Sequence, residues 1–397
     1  MRIVFMSTSV LYHRKRPFGR GGTDSQEYGI AVEMAKRGHD VYIVSQFYGS
    51  DWKEYKDTIK KIHFVNISAP YLKDVMIGET ASAFMLSHKS VNEIERIKPD
   101  VINLTGRFTA YFPSNLNIAK VFITHHPDAM SFYKKFAVEN NWLNFFFFPF
   151  KRKIEESVMH RSDVIIAIDK DIESYLYGRG FHDICVIPNA IDNDKYTNKG
   201  DDNFILYTGR FSKRKAIGFL IEAFSHVSRK NDTTLVLVGT GPEEAKLRKL
   251  VASKGITHKV NFLPMLEREQ YNEYLSKCSI FVLPSLYETF GVVVVEAMAC
   301  GKPVIASNIM GPRNIITHGH DGFLFEQGNV DELKQYLELC LSNTRLRKEI
   351  GANARQTVEQ KFTFNRIAEE YLKLYEQILH SRAEQSACGV IGCKQQI

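Results

Sequence analysis

Two carboxylates, Glu288 and Glu296, lie eight positions apart in Pro284–Cys300, PSLYETFGVVVVEAMAC. On one continuous helix, that spacing sets two side chains roughly 80° apart, so they would not face one ligand. They converge if Glu288 lies in a loop after the apolar strand Ser279–Leu283 and Glu296 in the second turn of a helix starting near Phe290. The free N–H groups at that helix N-terminus suit a phosphate. The pattern indicates a ligand with sugar hydroxyls and a phosphate, although a buried helix with solvent-facing glutamates fits the spacing equally well.

Basic residues and glycines follow two other apolar runs in the second half. Arg210 and Lys215 come after Phe204–Thr208, and an arginine fork with a lysine point charge suits a diphosphate. A solvated basic loop is the alternative. The glycines of Gly239–Gly241 follow the next run, where they would let the backbone pass close to a nucleobase or ribose.

Two further candidates fall in the first half. Gly22 belongs to a glycine pair between the basic loop Tyr12–Arg20 and a helix predicted to begin near Ser25. Glycines there allow close approach to a phosphate or sugar, and a simple turn fits as well. His125 and His126 close an apolar run and could bond a substrate hydroxyl or transfer a proton. Local hydrogen bonding in a loop is the alternative, and no further ligands are spaced for a metal.

The elements that must position these residues are short apolar runs separated by helical patterns. The first half predicts strands at Arg2–Met6, Asp40–Ser45, His63–Ile67, Val101–Leu104, Val121–Thr124, Val164–Ile168 and Ile184–Ile187. The second half predicts strands at Phe204–Thr208, Thr234–Val238, Val260–Leu263, Ser279–Leu283, Pro303–Ala306 and Gly322–Phe325. Continuous apolar strands alternating with helices are typical of parallel sheets covered on both faces. We therefore expect two doubly wound α/β domains, with ligands beyond the carboxyl ends of the strands in a cleft between them.

The predicted domain boundary lies in Asp192–Asn203, DNDKYTNKGDDN, a polar stretch with turn formers and little to bury. We expect an N-terminal domain over residues 1–191 and a C-terminal domain over 192–364. A last helix is predicted over 365–380, before a disordered tail at 381–397.

Composition limits the classes of function. The chain has 397 residues, 44% of them hydrophobic and 24% charged, which is typical of a globular protein with more than one domain. The net charge of +7 would favour anionic nucleotides or an anionic membrane surface, but no dense Lys/Arg stripe indicates nucleic acid. Six scattered cysteines without a CxxC pair predict neither disulfides nor zinc, as in a reducing cytoplasm.

The aromatic segment Trp142–Lys153, WLNFFFFPFKRK, holds five phenylalanines beside a basic cluster. Such a segment suits an anionic bilayer surface, and a buried helix with one charged end is the alternative. Since no run of about 18 apolar residues occurs, the protein is expected to be soluble or peripheral.

In their joint order and spacing, these motifs resemble the retaining nucleotide-sugar glycosyltransferases of family 4. Their GT-B fold has two facing Rossmann-like domains. The matching segments are Gly21–Gly22, Gly38–Val41, Ile187–Asp192, Gly209–Lys215, Gly239–Pro242, Glu288–Glu296, Gly301–Val304 and His320–Leu324.

The resemblance implies a role for each candidate. The implied catalytic residues are His126, Arg210, Lys215 and Glu288, and the implied substrate-binding residues are Gly22, His125, Gly241, Phe290, Gly291, Val292 and Glu296. Arg210 and Lys215 would hold the donor diphosphate, Glu288 with the amides that follow it would contact the transferred sugar, and Glu296 would contact the ribose. His126 matches the family's sugar-contacting histidine, with His125 a close competitor.

The resemblance also implies a metal-independent hexosyltransferase without a cofactor, using a UDP- or GDP-sugar donor and a hydroxyl acceptor. A lipid-linked acceptor or a cell-surface glycan precursor is one expectation, with the enzyme in the cytoplasm or at the inner face of the membrane. Ala216 and Ala190 replace usual glycines, and Asn314 replaces a common glutamate, which leaves the fine donor geometry open. The alternatives are a sugar-nucleotide epimerase of the same fold and a non-catalytic sugar-nucleotide-binding protein.

Overall fold

Two compact units divide the chain. One consists of Met1–Asn189 together with Phe364–Ile397, and the other of Ala190–Thr363. The computed structural model describes residues 1–6, 22–46, 61–68, 76–106, 108–125 and 142–392. Each unit is built on its own parallel sheet.

The first unit is a doubly wound sheet. Its strands are β1 (Arg2–Met6), β2 (Asp40–Ser45), β3 (Ile62–Asn66), β4 (Val101–Thr105), β5 (Ala119–Thr124), β6 (Val164–Ala167) and β7 (Ile184–Val186). Its first helices are α1 (Gly22–Lys36), α2 (Met76–Ile97), α3 (Trp142–His160) and α4 (Lys170–Tyr177). Within the described residues the strands lie in the order β3-β2-β1-β4-β5-β6-β7, and all neighbours are parallel. Strands β4 and β5 are buried along their whole length, as expected for a sheet covered on both faces.

The second unit repeats this architecture. Its strands are β8 (Phe204–Thr208), β9 (Thr234–Val238), β10 (Val260–Leu263), β11 (Ile280–Leu283), β12 (Val304–Ser307) and β13 (Phe323–Phe325). Its helices are α5 (Ile217–Val227), α6 (Glu244–Ser253), α7 (Arg268–Lys277), α8 (Val292–Ala299), α9 (Pro312–Ile315), α10 (Val330–Ser342) and α11 (Thr344–Lys361). The parallel strands lie in the order β10-β9-β8-β11-β12-β13.

A last helix, α12 (Phe364–Gly392), belongs to the first unit. The Tyr375 hydroxyl donates to Asn103 Oδ1 at 2.6 Å, and Arg382 Nε donates to Asp163 Oδ1 at 2.8 Å. The helix thus runs past residue 380, and the tail predicted as disordered from 381 is helical up to Gly392. Strong helix formers such as alanine, glutamate and glutamine occur in this segment, which favours continuation of the helix.

The strand prediction is confirmed. In the described part of the chain, each of the thirteen predicted strands is present, with its ends within two residues of the prediction. Two helix starts were misplaced: α1 begins at Gly22 and not near Ser25, and α8 begins at Val292 and not near Phe290. Gly291, with φ 95° and ψ 54°, delays the second start, because a left-handed residue cannot sit inside a right-handed helix.

The segment Asp192–Asn203, in which the domain boundary was predicted, is more ordered than its composition suggests. Tyr196, its one aromatic residue, is only 2% exposed. The buried Lys302 ties the segment down by donating from Nζ to Asn198 Oδ1 at 3.1 Å and to the Gly200 carbonyl. The expectation that this stretch has little to bury was therefore wrong for Tyr196.

Candidate functional site

The sheet of the second unit has a switch point between β8 and β11. From β8 the chain proceeds to β9 and β10 on one side, whereas from β11 it proceeds to β12 and β13 on the other. In doubly wound sheets, such a switch point marks a crevice at the carboxyl ends of the strands. Ligands of doubly wound sheets bind at such a crevice.

Lys215 and Glu288 meet at this switch point. Lys215 Nζ bonds to Glu288 Oε2, and each side chain is only 12% exposed. The backbone also joins the two loops, since the Leu286 N–H donates to the Arg214 carbonyl at 2.8 Å. The structure thus brings together two of the predicted catalytic residues, which are 73 positions apart in sequence.

Arg210 lies on the same loop, directly after Gly209, and its side chain is exposed. No ion pair joins it to another residue in the part of the chain that the structure describes. Its guanidinium is thus accessible to an anion. Lys213 is exposed as well, whereas Arg214 is half-buried with its guanidinium 6.0 Å from the Tyr287 ring centroid.

Ala216 keeps a glycine-like backbone after Lys215. Its φ of 46° and ψ of 38° are left-handed, a conformation that disfavours residues with a Cβ. The replacement of the family's usual glycine therefore leaves the loop in a left-handed turn, and α5 starts at the next residue.

The N-terminus of α8 lies on the β11 side of the crevice. Phe290 is buried, Gly291 forms the left-handed N-cap and Val292 opens the helix. The first N–H groups of a helix have no partner within it and attract anions. Gly311 packs against this turn, because a Cβ at Gly311 would lie 2.6 Å from the Phe290 carbonyl oxygen.

Glu296 lies in the second turn of α8, as predicted, but in a separate hydrogen-bonded cluster. Its side chain is nearly buried. Oε1 accepts from the Tyr196 hydroxyl at 2.6 Å and from Arg268 Nη2 at 3.0 Å, and Oε2 accepts from the Tyr271 hydroxyl. Burial, reinforced by the Glu296 charge, raises the pKa of both tyrosine hydroxyls well above 10.

The three partners of Glu296 are residues that sequence reasoning missed. Tyr196 is the lone aromatic residue of a polar segment, a signal that could have marked it as buried. Arg268 and Tyr271 are three positions apart near the start of α7, a spacing that places them on one helix face. Helix α7 follows β10, so its start lies near the carboxyl ends of the strands, where doubly wound sheets bind ligands.

The glycines after β9 are explained by packing between loops. A Cβ at Gly239 would lie 2.0 Å from the Gly209 carbonyl oxygen, and one at Gly241 would lie 2.2 Å from the Phe211 carbonyl oxygen. Backbone crowding thus accounts for both glycines without a ligand. A ligand contact at Gly241 stays a prediction.

In the first unit, the described candidates are Gly22 and His125. Gly22 starts α1, whereas Gly21 and the basic loop before it lie outside the described residues. His125 follows β5, and burial lowers its pKa to about 4 despite a hydrogen bond with Asn189. Its imidazole is therefore neutral at pH 7. His126, the preferred histidine, lies outside the described residues.

Within the described ranges, no three His, Cys, Asp or Glu side chains gather as a metal site. Over the same ranges, no helix is long and apolar enough to cross a membrane.

Comparison with known proteins identifies the family. Residues 20–195 match the family described as Glycosyltransferase Family 4, and residues 189–357 match Glycosyl transferases group 1. The uncharacterized glycosyltransferase MJ1178 of Methanocaldococcus jannaschii is 30% identical over 355 residues, covering 87% of this chain and 92% of that protein. This chain belongs to the family 4 glycosyltransferases.

Solved structures show that this glycosyltransferase has the GT-B architecture. Sucrose-phosphate synthase from Thermosynechococcus elongatus superimposes with a TM-score of 0.79 at 19% identity, over 96% of this chain and 99% of that one. Anabaena HepE, solved in complex with UDP, superimposes with a TM-score of 0.71 at 18% identity, over 95% and 100% of the two chains. At these identities the likeness establishes the fold.

Proposed function

We propose that this glycosyltransferase transfers a sugar from a nucleoside diphosphate to a hydroxyl acceptor with retention of the anomeric configuration. The observation that carries the proposal is the Lys215–Glu288 pair at the switch point of the second sheet. A cation for the diphosphate and a carboxylate for sugar hydroxyls stand there side by side. HepE, a structural relative, was solved with UDP and with UDP-glucose, which supports a donor of this class.

In the proposed mechanism, Arg210 and Lys215 stabilise the negative charge that grows on the departing diphosphate. Arg210 is exposed and can close on two phosphate oxygens as a planar fork, whereas Lys215 acts as a point charge. Lys215 is already held by Glu288, so it needs little reorganisation when the donor binds. Preorganised charges of this kind commonly contribute the largest share of transition-state stabilisation.

Glu288 and the start of α8 are assigned to the donor sugar and its phosphates. Glu288 would accept from sugar hydroxyls, and the amides around Phe290, Gly291 and Val292 would donate to the ligand. Glu296, one turn into α8, would bind the ribose. In the first unit, His126 or His125 would bond the sugar, with His125 acting as a neutral group because of its lowered pKa.

Because Arg210 and Lys215 can supply the charge that a metal would otherwise supply, we propose a metal-independent reaction. The acceptor hydroxyl would attack from the face that the diphosphate leaves, which retains the configuration. An acceptor bound in this way takes over the bond to the anomeric carbon, and its proton passes to the diphosphate.

We also propose that α3 contacts an anionic membrane surface, which suits a lipid-linked acceptor. Phe150 is 54% exposed, and its neighbours Pro149 and Lys153 are exposed too. In the following turns, Ile154 and Val158 are buried and anchor the helix in the first unit. An exposed apolar residue near an exposed basic one on an anchored helix favours an anionic bilayer.

The donor is tested first by thermal shift with UDP-, GDP- and ADP-sugars. A donor at about 100 times its Kd stabilises the folded protein by about 2.7 kcal/mol. With the donor identified, transfer is followed as release of the nucleoside diphosphate, with and without EDTA. Nuclear magnetic resonance of the glycoside then reads the anomeric configuration. An inverted product would refute retention, and loss of activity with EDTA would refute metal independence.

Lys215→Met and Glu288→Gln test the role of the Lys215–Glu288 pair in transfer. Each should lower kcat by about 100-fold or more, the cost of losing one preorganised charge. Glu222→Gln is the matched control, because it removes a carboxylate that pairs with Lys254 in the same unit, away from the switch point. Transfer at the wild-type rate by both Lys215→Met and Glu288→Gln would defeat the assignment. Donor epimerised without acceptor would instead support the epimerase alternative.

A further inference from the structure

The Glu296 carboxylate accepts hydrogen bonds from two other parts of the second unit. Tyr196 comes from the segment before β8, Arg268 and Tyr271 come from α7, and Glu296 itself from α8. We call these four residues the Glu296 cluster. The guanidinium of Arg268 lies 5.4 Å from each of the two tyrosine ring centroids and donates to the Tyr196 oxygen as well as to Oε1.

The cluster fixes the orientation of the carboxylate. Two donors occupy Oε1 and one occupies Oε2. A carboxylate accepts about four hydrogen bonds, so one acceptor position is left, on Oε2. Because Glu296 is only 6% exposed, rotation away from these donors would leave a buried charge without partners, which is costly.

The donors also keep their protons. Burial and the neighbouring carboxylate raise the pKa of Tyr196 and of Tyr271 well above 10. Both hydroxyls therefore keep their protons, and can donate them to Glu296, near neutral pH. The remaining acceptor position on Oε2 is left for a hydrogen-bond donor from outside the cluster.

The position of Glu296 relative to the start of α8 suggests which group donates that hydrogen bond. Glu296 lies four residues after Val292, about 6 Å further along the helix axis. In a nucleotide, the ribose hydroxyls lie a similar short way from the phosphate. A phosphate at the start of α8 would thus leave the ribose near Glu296.

We propose that Tyr196, Arg268 and Tyr271 are positioning residues that aim Glu296 at one hydroxyl of the donor ribose. This rests on the proposed function, in which Glu296 binds the ribose. The three residues would set how strongly the enzyme prefers a ribonucleotide to a deoxyribonucleotide without touching the nucleotide's phosphates.

The test measures nucleotide discrimination in Tyr196→Phe and Tyr271→Phe, each of which removes one hydroxyl and keeps the ring. Calorimetry gives the Kd of UDP, GDP and ADP for the wild type, and then the Kd of the 2′-deoxy and 3′-deoxy forms of the one that binds best. Tyr274→Phe is the matched control. Tyr274 lies on the same helix and its ring packs on Phe204, with centroids 6.0 Å apart, but its hydroxyl does not bond Glu296.

In the wild type and in Tyr274→Phe, loss of the bound hydroxyl should weaken binding by about tenfold or more, as for a hydrogen bond to a charged group. In Tyr196→Phe and Tyr271→Phe, the ratio of the Kd of the deoxy form to the Kd of the ribonucleotide should fall at least threefold. The affinity for the deoxy form should change less than the affinity for the ribonucleotide. A purely structural role would weaken both forms equally and leave the ratio unchanged.

An unchanged ratio in both variants, with normal binding of the ribonucleotide, would overturn this inference and leave the proposed donor class intact. If no nucleoside diphosphate binds the wild-type protein, the proposed function itself fails.

Discussion

Ala216 carries backbone strain beside the predicted catalytic lysine, and this strain can be measured. At φ 46° and ψ 38°, a residue with a Cβ pays about 1–2 kcal/mol relative to right-handed conformations. Glycine would remove that cost but would add about 0.4–1 kcal/mol of entropy to the unfolded state. The balance favours glycine, and we expect Ala216→Gly to raise the free energy of unfolding by about 0.5 kcal/mol.

The matched control is Ala352→Gly. Ala352 is an exposed residue inside α11 of the same unit, where glycine costs about 1 kcal/mol relative to alanine. The same substitution should therefore change the free energy of unfolding in opposite directions at the two positions. The expected difference is about 1.5 kcal/mol, or roughly 3–6 °C in Tm for a unit of this size.

Urea unfolding followed by circular dichroism measures both variants against the wild type. Equal destabilisation by Ala216→Gly and Ala352→Gly would refute the argument, because position 216 would then behave as an ordinary helical residue. Since glycine keeps the left-handed turn, Lys215 should stay in place, and transfer by Ala216→Gly should remain within about twofold of wild type.

Three further predictions concern other parts of the chain. Gly241→Ala should destabilise the second unit by about 1–3 kcal/mol because its Cβ would strike a backbone carbonyl, whereas Gly218→Ala in α5, with its nearest neighbour at 3.7 Å, should not destabilise it; urea unfolding compares them. Because the pKa of His125 is lowered to about 4, the unfolded state binds more protons than the folded state between about pH 6.5 and 4. The free energy of unfolding should therefore fall by up to about 1.4 kcal/mol per pH unit as the pH drops through that window. His125→Gln should make this fall less steep. Phe150→Ser should weaken co-sedimentation with anionic vesicles by more than Tyr177→Ser, which changes another exposed aromatic residue of the first unit; equal binding by both variants and wild type would refute membrane contact by α3.

Much of the fold could be predicted from local sequence. The apolar runs that became β1 to β13 are short, and each carries its own strand signal. Helix starts were less predictable because they depend on single residues, as at Gly291, where a left-handed φ moved the start of α8 to Val292. A lone aromatic residue in a polar segment could have marked Tyr196 as buried, but its partner Glu296 could not be predicted locally, because it lies 100 residues away.

The candidate site divides in the same way. Local sequence showed which segments carry the carboxylates, basic residues and glycines, because those segments follow apolar runs with a clear strand pattern. Local sequence did not indicate that Lys215 meets Glu288 or that Tyr196, Arg268 and Tyr271 hold Glu296. The packing that explains Gly241 also depends on contacts between loops that are distant in sequence. The physical reason is strand order: β8 lies beside β11, a neighbour distant in sequence, and no local pattern of residues specifies that pairing.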